Sequence, residues 1–185
     1  LLSRDEVQPN QELFSKNIYS KTVLASGAGG SIGSELCRQI VKLKPQKLLL
    51  LELNEYALFN ISEDLKKIEH NIKIIPLLIN VQNSSRLNAV FETFKIDTVY
   101  HAAAYKHVPL VEENICESVK NNVFGTFLIT QAAIKYKVLN FVLISTDKAV
   151  RSTNVMGATK RLAEICVQSL YDYDKVKKTK FAIVR

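Results

Sequence analysis

From Lys21 onward, short uninterrupted apolar runs alternate with stretches whose apolar residues recur at three- and four-residue spacing, and this alternation restricts the chain to one fold class. The runs are Thr22-Val-Leu-Ala25, Lys47-Leu-Leu-Leu-Leu-Glu52, Ile72-Lys-Ile-Ile-Pro-Leu-Leu78, Thr98-Val-Tyr-His-Ala102, Phe141-Val-Leu-Ile-Ser145 and the residues from Phe181 onward. Helical spacing covers Ser31 to Leu43, where Ile32, Leu36, Ile40 and Leu43 form one face ahead of Pro45. It returns over Asn54 to Glu69, with Asn54 placed as an N-cap, then over Ser84 to Phe94, Asn114 to Tyr136 and Asn154 to Tyr171. A strand that is apolar throughout is covered on both faces, which requires parallel pairing through helical crossovers. Six such strands predict an α/β protein with a doubly wound parallel sheet, the Rossmann fold. Residues 1–20 read as a lead-in with a short helix around Glu12 to Asn17, and residues 21–185 as one domain.

The 185 residues suffice for one domain with a real core, and 47% hydrophobic against 23% charged residues is a globular balance. The net charge of +7 admits a solvated basic surface, an anionic substrate, or closeness to an anionic membrane surface. Nucleic acid is not expected as a partner, because the lysines are scattered and no recognition motif accompanies them. Cys37, Cys116 and Cys166 make no CxxC pair and leave an odd count, which points to a reducing compartment and no structural zinc. His101 and His107 have no carboxylate or cysteine partner at ligand spacing, so no metal is expected. The apolar runs are too short to cross a bilayer and no signal peptide is visible, so a cytoplasmic location is expected. A start at Leu1 and an end within a strand suggest a fragment of a longer protein.

In Ser26-Gly-Ala-Gly-Gly-Ser-Ile-Gly33, Gly27, Gly30 and Gly33 fall at GxxGxxG spacing between the first strand and the first helix. A side chain at the first would obstruct the tight turn. At the second it would hold the backbone off a phosphate, and at the third it would separate helix from strand. The amides from Gly29 through Ser31, Ile32 and Gly33 then offer a helix start to a pyrophosphate. Glu52, 19 residues after Gly33 at the end of the second strand, can accept both hydroxyls of an adenosine ribose and would repel a 2′-phosphate. No arginine follows to welcome that phosphate, so NAD is expected and NADP disfavoured; the alternative for Glu52 is a solvated strand-end acid. Asn80, with Val81 beside it, is placed to meet the adenine, although a turn asparagine looks the same. Ala102, Ala103 and Ala104 let a cofactor pass close to the backbone, or else fill the core. Residues 21–185 are therefore read as an NAD(P)-binding domain.

Ser145-Thr-Asp-Lys-Ala-Val-Arg151 leads from the fifth strand toward a helix carrying Met156 and Lys160 four residues apart on one face. Ligands of an open parallel sheet sit beyond the carboxyl ends of its strands. Thr146, Asp147 and Lys148 thus occupy the reactive position, and Lys160 is placed to hydrogen-bond a nicotinamide ribose. Singly each reads equally well as a solvated polar residue; together they favour a site.

The stretches Gly27 to Ile40, His101 to Glu112, Asn121 to Thr126, Ser145 to Arg151 and Asn154 to Glu164 resemble the extended short-chain dehydrogenase/reductases. Within them the resemblance is to the bacterial polysaccharide-biosynthesis nucleotide-sugar 4,6-dehydratases, and it covers nearly the whole chain. It implies dehydration of UDP-N-acetylglucosamine to a 4-keto-6-deoxy sugar with tightly bound NAD. Oxidation at C4 is followed by removal of the C5 proton by Lys148, protonation of the departing C6 hydroxyl by Asp147, and return of hydride to C6. It further implies Asn122 beside the cofactor, Lys106 and His107 against the substrate, and a small C-terminal substrate domain beyond Arg185. A membrane anchor ahead of Leu1, at the inner face of the cell membrane, and a homo-oligomer are also expected. One departure is chemical: Met156 stands where the usual Tyr-x-x-x-Lys has its tyrosine, and a thioether cannot exchange a proton. Thr146, Asp147 or a water is left to accept the O4 proton. Two rivals share the cofactor turn: a nucleotide-sugar 4-epimerase, and a non-catalytic NAD-binding sensor or scaffold.

Overall fold

The computed structural model describes residues 11–69, 71–174 and 177–185. Its strands are β1 (Thr22–Ser26), β2 (Lys47–Glu52), β3 (Lys73–Leu78), β4 (Thr98–His101), β5 (Asn140–Ile144) and β6 (Lys180–Val184). They form one parallel sheet in the order β3-β2-β1-β4-β5-β6, the doubly wound arrangement expected. Its helices are α1 (Gln11–Lys16), α2 (Ser31–Lys42), α3 (Glu55–Ile68), α4 (Ser84–Phe94), α5 (Val108–Glu113), α6 (Ile115–Val119), α7 (Gly125–Lys135) and α8 (Val155–Tyr173).

Alternate residues of a strand point to opposite faces, and the apolar runs follow from cores on both. Val23, Ala25, Leu48 and Leu50 pack with Cys37, Ile40, Leu58 and Leu65 of α2 and α3. Leu24, Leu49, Val99 and Phe141 pack on the other side with Phe91, Ile129 and Val167 of α4, α7 and α8. Edge strand β3 is more exposed and accommodates Pro76, whose missing N–H would break a central ladder. Asn54, Asn83 and Asn154 cap α3, α4 and α8 by accepting from the amides of Ala57, Arg86 and Gly157 at 2.9, 3.1 and 2.8 Å. The first ten residues of the lead-in lie outside the described residues. Its later part joins the domain, since Ile18 is buried in the α2–α3 core.

The helix predicted over Asn114 to Tyr136 runs from Ile115 to Lys135, with one π turn in its hydrogen-bonding pattern. Asn114 leaves helical geometry at φ −131° and ψ 54°, and its side-chain amide donates back to the Leu110 carbonyl at 3.0 Å. Ahead of it lies α5, which begins with Pro109 in its first turn and is not among the helices expected above. Between α6 and α7 the backbone makes a π-helical turn over Lys120–Phe124, which brings Asn121, Asn122 and Val123 all to the buried side.

Candidate active site

Strand order reverses between β1 and β4, and the register sets Ser26 beside both Leu51 and His101, so the carboxyl ends of three strands border one crevice. Gly27 turns the chain there with φ +68°, and a Cβ on it would stand 2.7 Å from the Ala103 backbone. Gly33 lets α2 approach so closely that a Cβ would collide with the Gly27 carbonyl. No side chain caps the start of α2, so its first amides keep their capacity to bind an anion. A dinucleotide fits this cradle: glycine backbone at the phosphates, a helix start behind it, and alanines opposite.

Two adjoining clefts of about 620 and 500 Å³ run along the strand ends and share Gly29, Gly30, Ala102, Ala104, Tyr105 and His107. The larger is walled by Glu52, Asn80, Val81 and Ala103, as the sequence suggested for the adenosine end, and also by Asn54, Ala57 and Asn121. Glu52 also has a structural part. Its carboxylate accepts from the amides of Gly29, Leu53 and Asn54 at 3.0, 2.8 and 3.0 Å, which ties the glycine turn to the end of β2. A carboxylate offers about four acceptor positions, so room remains for a hydroxyl. The Asn80 side-chain oxygen accepts from the Gln82 amide at 2.8 Å and shapes its own turn.

The smaller cleft is walled by Ser31, Ile32, Gly33, Lys106, Thr146, Lys148, Met156 and Lys160. Lys106 reaches across it, its Nζ 3.4 Å from Ser31 Oγ at the start of α2. That sets Lys106 over the start of α2, whereas the sequence suggested for it only a contact with substrate. Met156 is buried. Lys160 is 5% exposed and donates to the Ile144 carbonyl at 2.7 Å; burial pushes its pKa down to about 8, opposed by the charge of Glu164.

Asp147 projects into solvent, its side chain 88% exposed, and is not part of the cleft wall. Its Oδ1 accepts from Thr146 Oγ1 and from the Lys148 amide, both at 2.9 Å, and stands 3.7 Å from Lys148 Nζ. The Thr146 hydroxyl, and next the Lys148 charge, hold this carboxyl below its usual range. In the open cleft Asp147 is therefore a carboxylate, whereas the proton-donor role read from the sequence needs the acid.

Asn122 stands behind the wall and lines neither cleft. Its side chain accepts from the Tyr105 amide at 2.8 Å and donates to the Tyr105 carbonyl and to Thr159 Oγ1, both at 3.0 Å. It thereby holds Tyr105, which borders both clefts, to the helix that carries Met156 and Lys160. His101 is buried between Ser26 Oγ (2.6 Å from Nδ1) and Thr126 Oγ1 (2.9 Å from Nε2). Thr126 gives its own proton to the Asn122 carbonyl at 2.7 Å, so Nε2 carries the histidine proton and Nδ1 accepts from Ser26. Burial, then the Lys160 charge, pushes the His101 pKa down to about 3. Tyr105, Asn121 and Glu164 were not given roles from the sequence. All three lie inside the resembling stretches, but only the tertiary contacts reveal what they touch. Among the described residues no cluster of His, Cys, Asp and Glu suits a metal ion, and no helix is long and apolar enough to cross a membrane.

A doubly wound parallel sheet with a glycine cradle at its switch point, and Thr146 and Lys148 after β5 lining one cleft with helix-borne Lys160, is the architecture of the short-chain dehydrogenase/reductase class. The chain belongs to the family described as polysaccharide biosynthesis protein, whose model matches residues 23–185. It is 48% identical to the capsular polysaccharide biosynthesis protein CapD of Staphylococcus aureus over 186 residues, covering 100% of this chain and 31% of that one. It is 29% identical over 167 residues to a UDP-N-acetylglucosamine 4,6-dehydratase (inverting) of Campylobacter jejuni (89% and 48% covered). It is 32% identical over 148 residues to a UDP-glucose 4-epimerase of Rickettsia canadensis (78% and 42% covered). Among solved structures, Pen from Bacillus thuringiensis superposes with a TM-score of 0.84 at 34% identity, covering 91% of this chain and 52% of Pen. The chain thus spans a third to a half of the length of these relatives.

Proposed function

We propose that this chain is the NAD-binding part of a nucleotide-sugar 4,6-dehydratase that converts UDP-N-acetylglucosamine to its 4-keto-6-deoxy product in surface polysaccharide or glycan biosynthesis. One observation carries the reading: an adjacent carboxylate and amine, Asp147 and Lys148, at the end of β5 where the cleft opens, beside a lysine four residues beyond a methionine. An epimerase has no need of that pair, because it makes no bond change at C5 or C6. NAD, held by the Gly27–Gly33 turn and Glu52, supplies the hydride acceptor and donor when bound.

Lys160 orients the nicotinamide ribose from the Ile144 side. Lys148 takes the C5 proton once C4 is oxidised, since the adjoining ketone acidifies that hydrogen, and a proton from Lys148 or solvent is returned to C5 when the resulting C5–C6 double bond is reduced. Asp147 delivers a proton to the departing C6 hydroxyl. A bound sugar nucleotide covers Asp147, removes its water and raises the cost of its charge, which returns the carboxyl toward the acid form. With a thioether at Met156, the O4 proton passes to Thr146, Asp147 or a water.

The full-length protein incubated with UDP-N-acetylglucosamine in heavy water is expected to give a product lighter by one water and labelled at C5. Lys148→Ala and Asp147→Asn should each lose about 10²- to 10⁴-fold in kcat while keeping NAD. An isomer of unchanged composition would identify a 4-epimerase, and NAD binding without turnover the sensor or scaffold that the missing tyrosine allows.

A further inference from the structure

Glu164 lies on α8 one turn beyond Lys160, its side chain 1% exposed. Four donors meet it: Ser145 Oγ at 2.7 Å, Arg161 Nη1 at 2.9 Å, and Arg185 through Nε at 2.9 Å and Nη2 at 2.7 Å. Ser145 follows Ile144, whose carbonyl receives Lys160 Nζ, and precedes Thr146. Two side chains one turn apart on α8 therefore grip two successive residues at the end of β5, immediately before Thr146, Asp147 and Lys148. We infer, resting on the dehydratase reading above, that Glu164 is a positioning residue: through Ser145 and Arg185 it fixes the end of β5 against α8 and so sets where Asp147 and Lys148 meet the sugar.

A purely stabilising role does not account for this choice, because a buried ion pair is often replaceable by apolar side chains at no cost in stability. The carboxylate also acts on Lys160. It lies one turn beyond that lysine on the same helix, whereas the other carboxylate of α8, Asp172, lies more than three turns beyond it. From β4 Lys160 faces uncharged His101, Asp147 and Lys148 sit in the loop beyond β5, and Arg161 and Arg185 are paired to Glu164 itself. Arg185 first, with Ser145 and Arg161 aiding, holds the Glu164 carboxyl down to about 2, so it stays charged wherever the enzyme works. Its charge opposes the burial that draws Lys160 toward neutrality.

The test is Glu164→Gln in the full-length protein, compared with wild type for NAD content, KM, kcat and the pH dependence of kcat on UDP-N-acetylglucosamine. Expected are unchanged NAD content, a kcat about 10- to 100-fold lower, and an alkaline limb moved down by about one pH unit. A wild-type kcat with an unmoved limb overturns the inference, as does a loss of activity that only parallels lost NAD-loaded protein. If Glu164→Gln does not fold, Ser145→Ala decides: it should lower kcat severalfold with the limb in place, and an unchanged kcat overturns the inference. A wild-type protein that turns over no UDP-N-acetylglucosamine instead overturns the dehydratase reading, so the two failures are distinct.

Discussion

The ammonium of Lys160 is buried and hydrogen-bonds a carbonyl, an arrangement that costs folding energy below the pH at which the amine becomes neutral. The native group titrates at about 8 and the unfolded one near 10.5. The cost is therefore fully present below about pH 8 and fades as the pH rises from 8 toward 10.5. Lys160→Met fills the same space without the charge. It should raise the thermal midpoint at pH 7 by a few degrees, with the advantage shrinking toward pH 10, while turnover is lost. Equal midpoints at pH 7 would mean that the native lysine is solvated after all. Met156 beside it poses the converse case. Its side chain is equally buried but carries no charge to desolvate.

Among the elements, the π-helical turn between α6 and α7 does the least visible work. By adding one residue to a turn it directs Asn122 inward, where one amide satisfies both backbone groups of Tyr105 and reaches Thr159 of α8. Asn122→Ala leaves buried polar groups without partners and frees the wall shared by the two clefts. It should cost about 1–3 kcal/mol of stability, and NAD affinity should fall with it; calorimetry on the full-length variant measures both. The sequence showed this region only as a helix beside the site, because the one residue that a π turn inserts leaves the segments on either side α-helical and gives no local sign that Asn122 turns inward. The strands, by contrast, were legible, since Leu48 to Leu51 can be apolar only if both faces are covered. So was the geometry of the glycine turn, which follows from local spacing. The exposed carboxylate of Asp147, the strap formed by Lys106 and the grip of Glu164 on Ser145 were not. Each depends on contacts between residues distant in the chain or on solvent exposure that no local pattern encodes.

For the molecule as a whole, the seam between β1 and β4 is held by a chain of hydrogen bonds from Ser26 through His101 and Thr126 to the Asn122 carbonyl. Inserting a proton into it is unfavourable, because His101 is buried and Lys160 is near, so the native histidine titrates at about 3 against 6.5 when exposed. The unfolded chain therefore takes up a proton that the folded one refuses. The stabilisation from His101 is complete above pH 6.5 and drains away as the pH falls toward 3, at about 1.4 kcal/mol per unit at most. Glu164 adds a lower window: its carboxyl titrates at about 2 rather than 4.5, so its contribution is present above 4.5 and lost below. The protein should lose stability in two stages on acidification, first through the seam under the cofactor turn and then through the junction of β5, β6 and α8. His101→Gln keeps a donor and an acceptor but cannot take up a proton. In denaturant titrations at pH 7, 5.5 and 4.5 it should start less stable than wild type and then decline more slowly, the two curves converging near pH 4.5. A variant that declines as steeply as wild type across that interval would place the acid sensitivity elsewhere in the molecule.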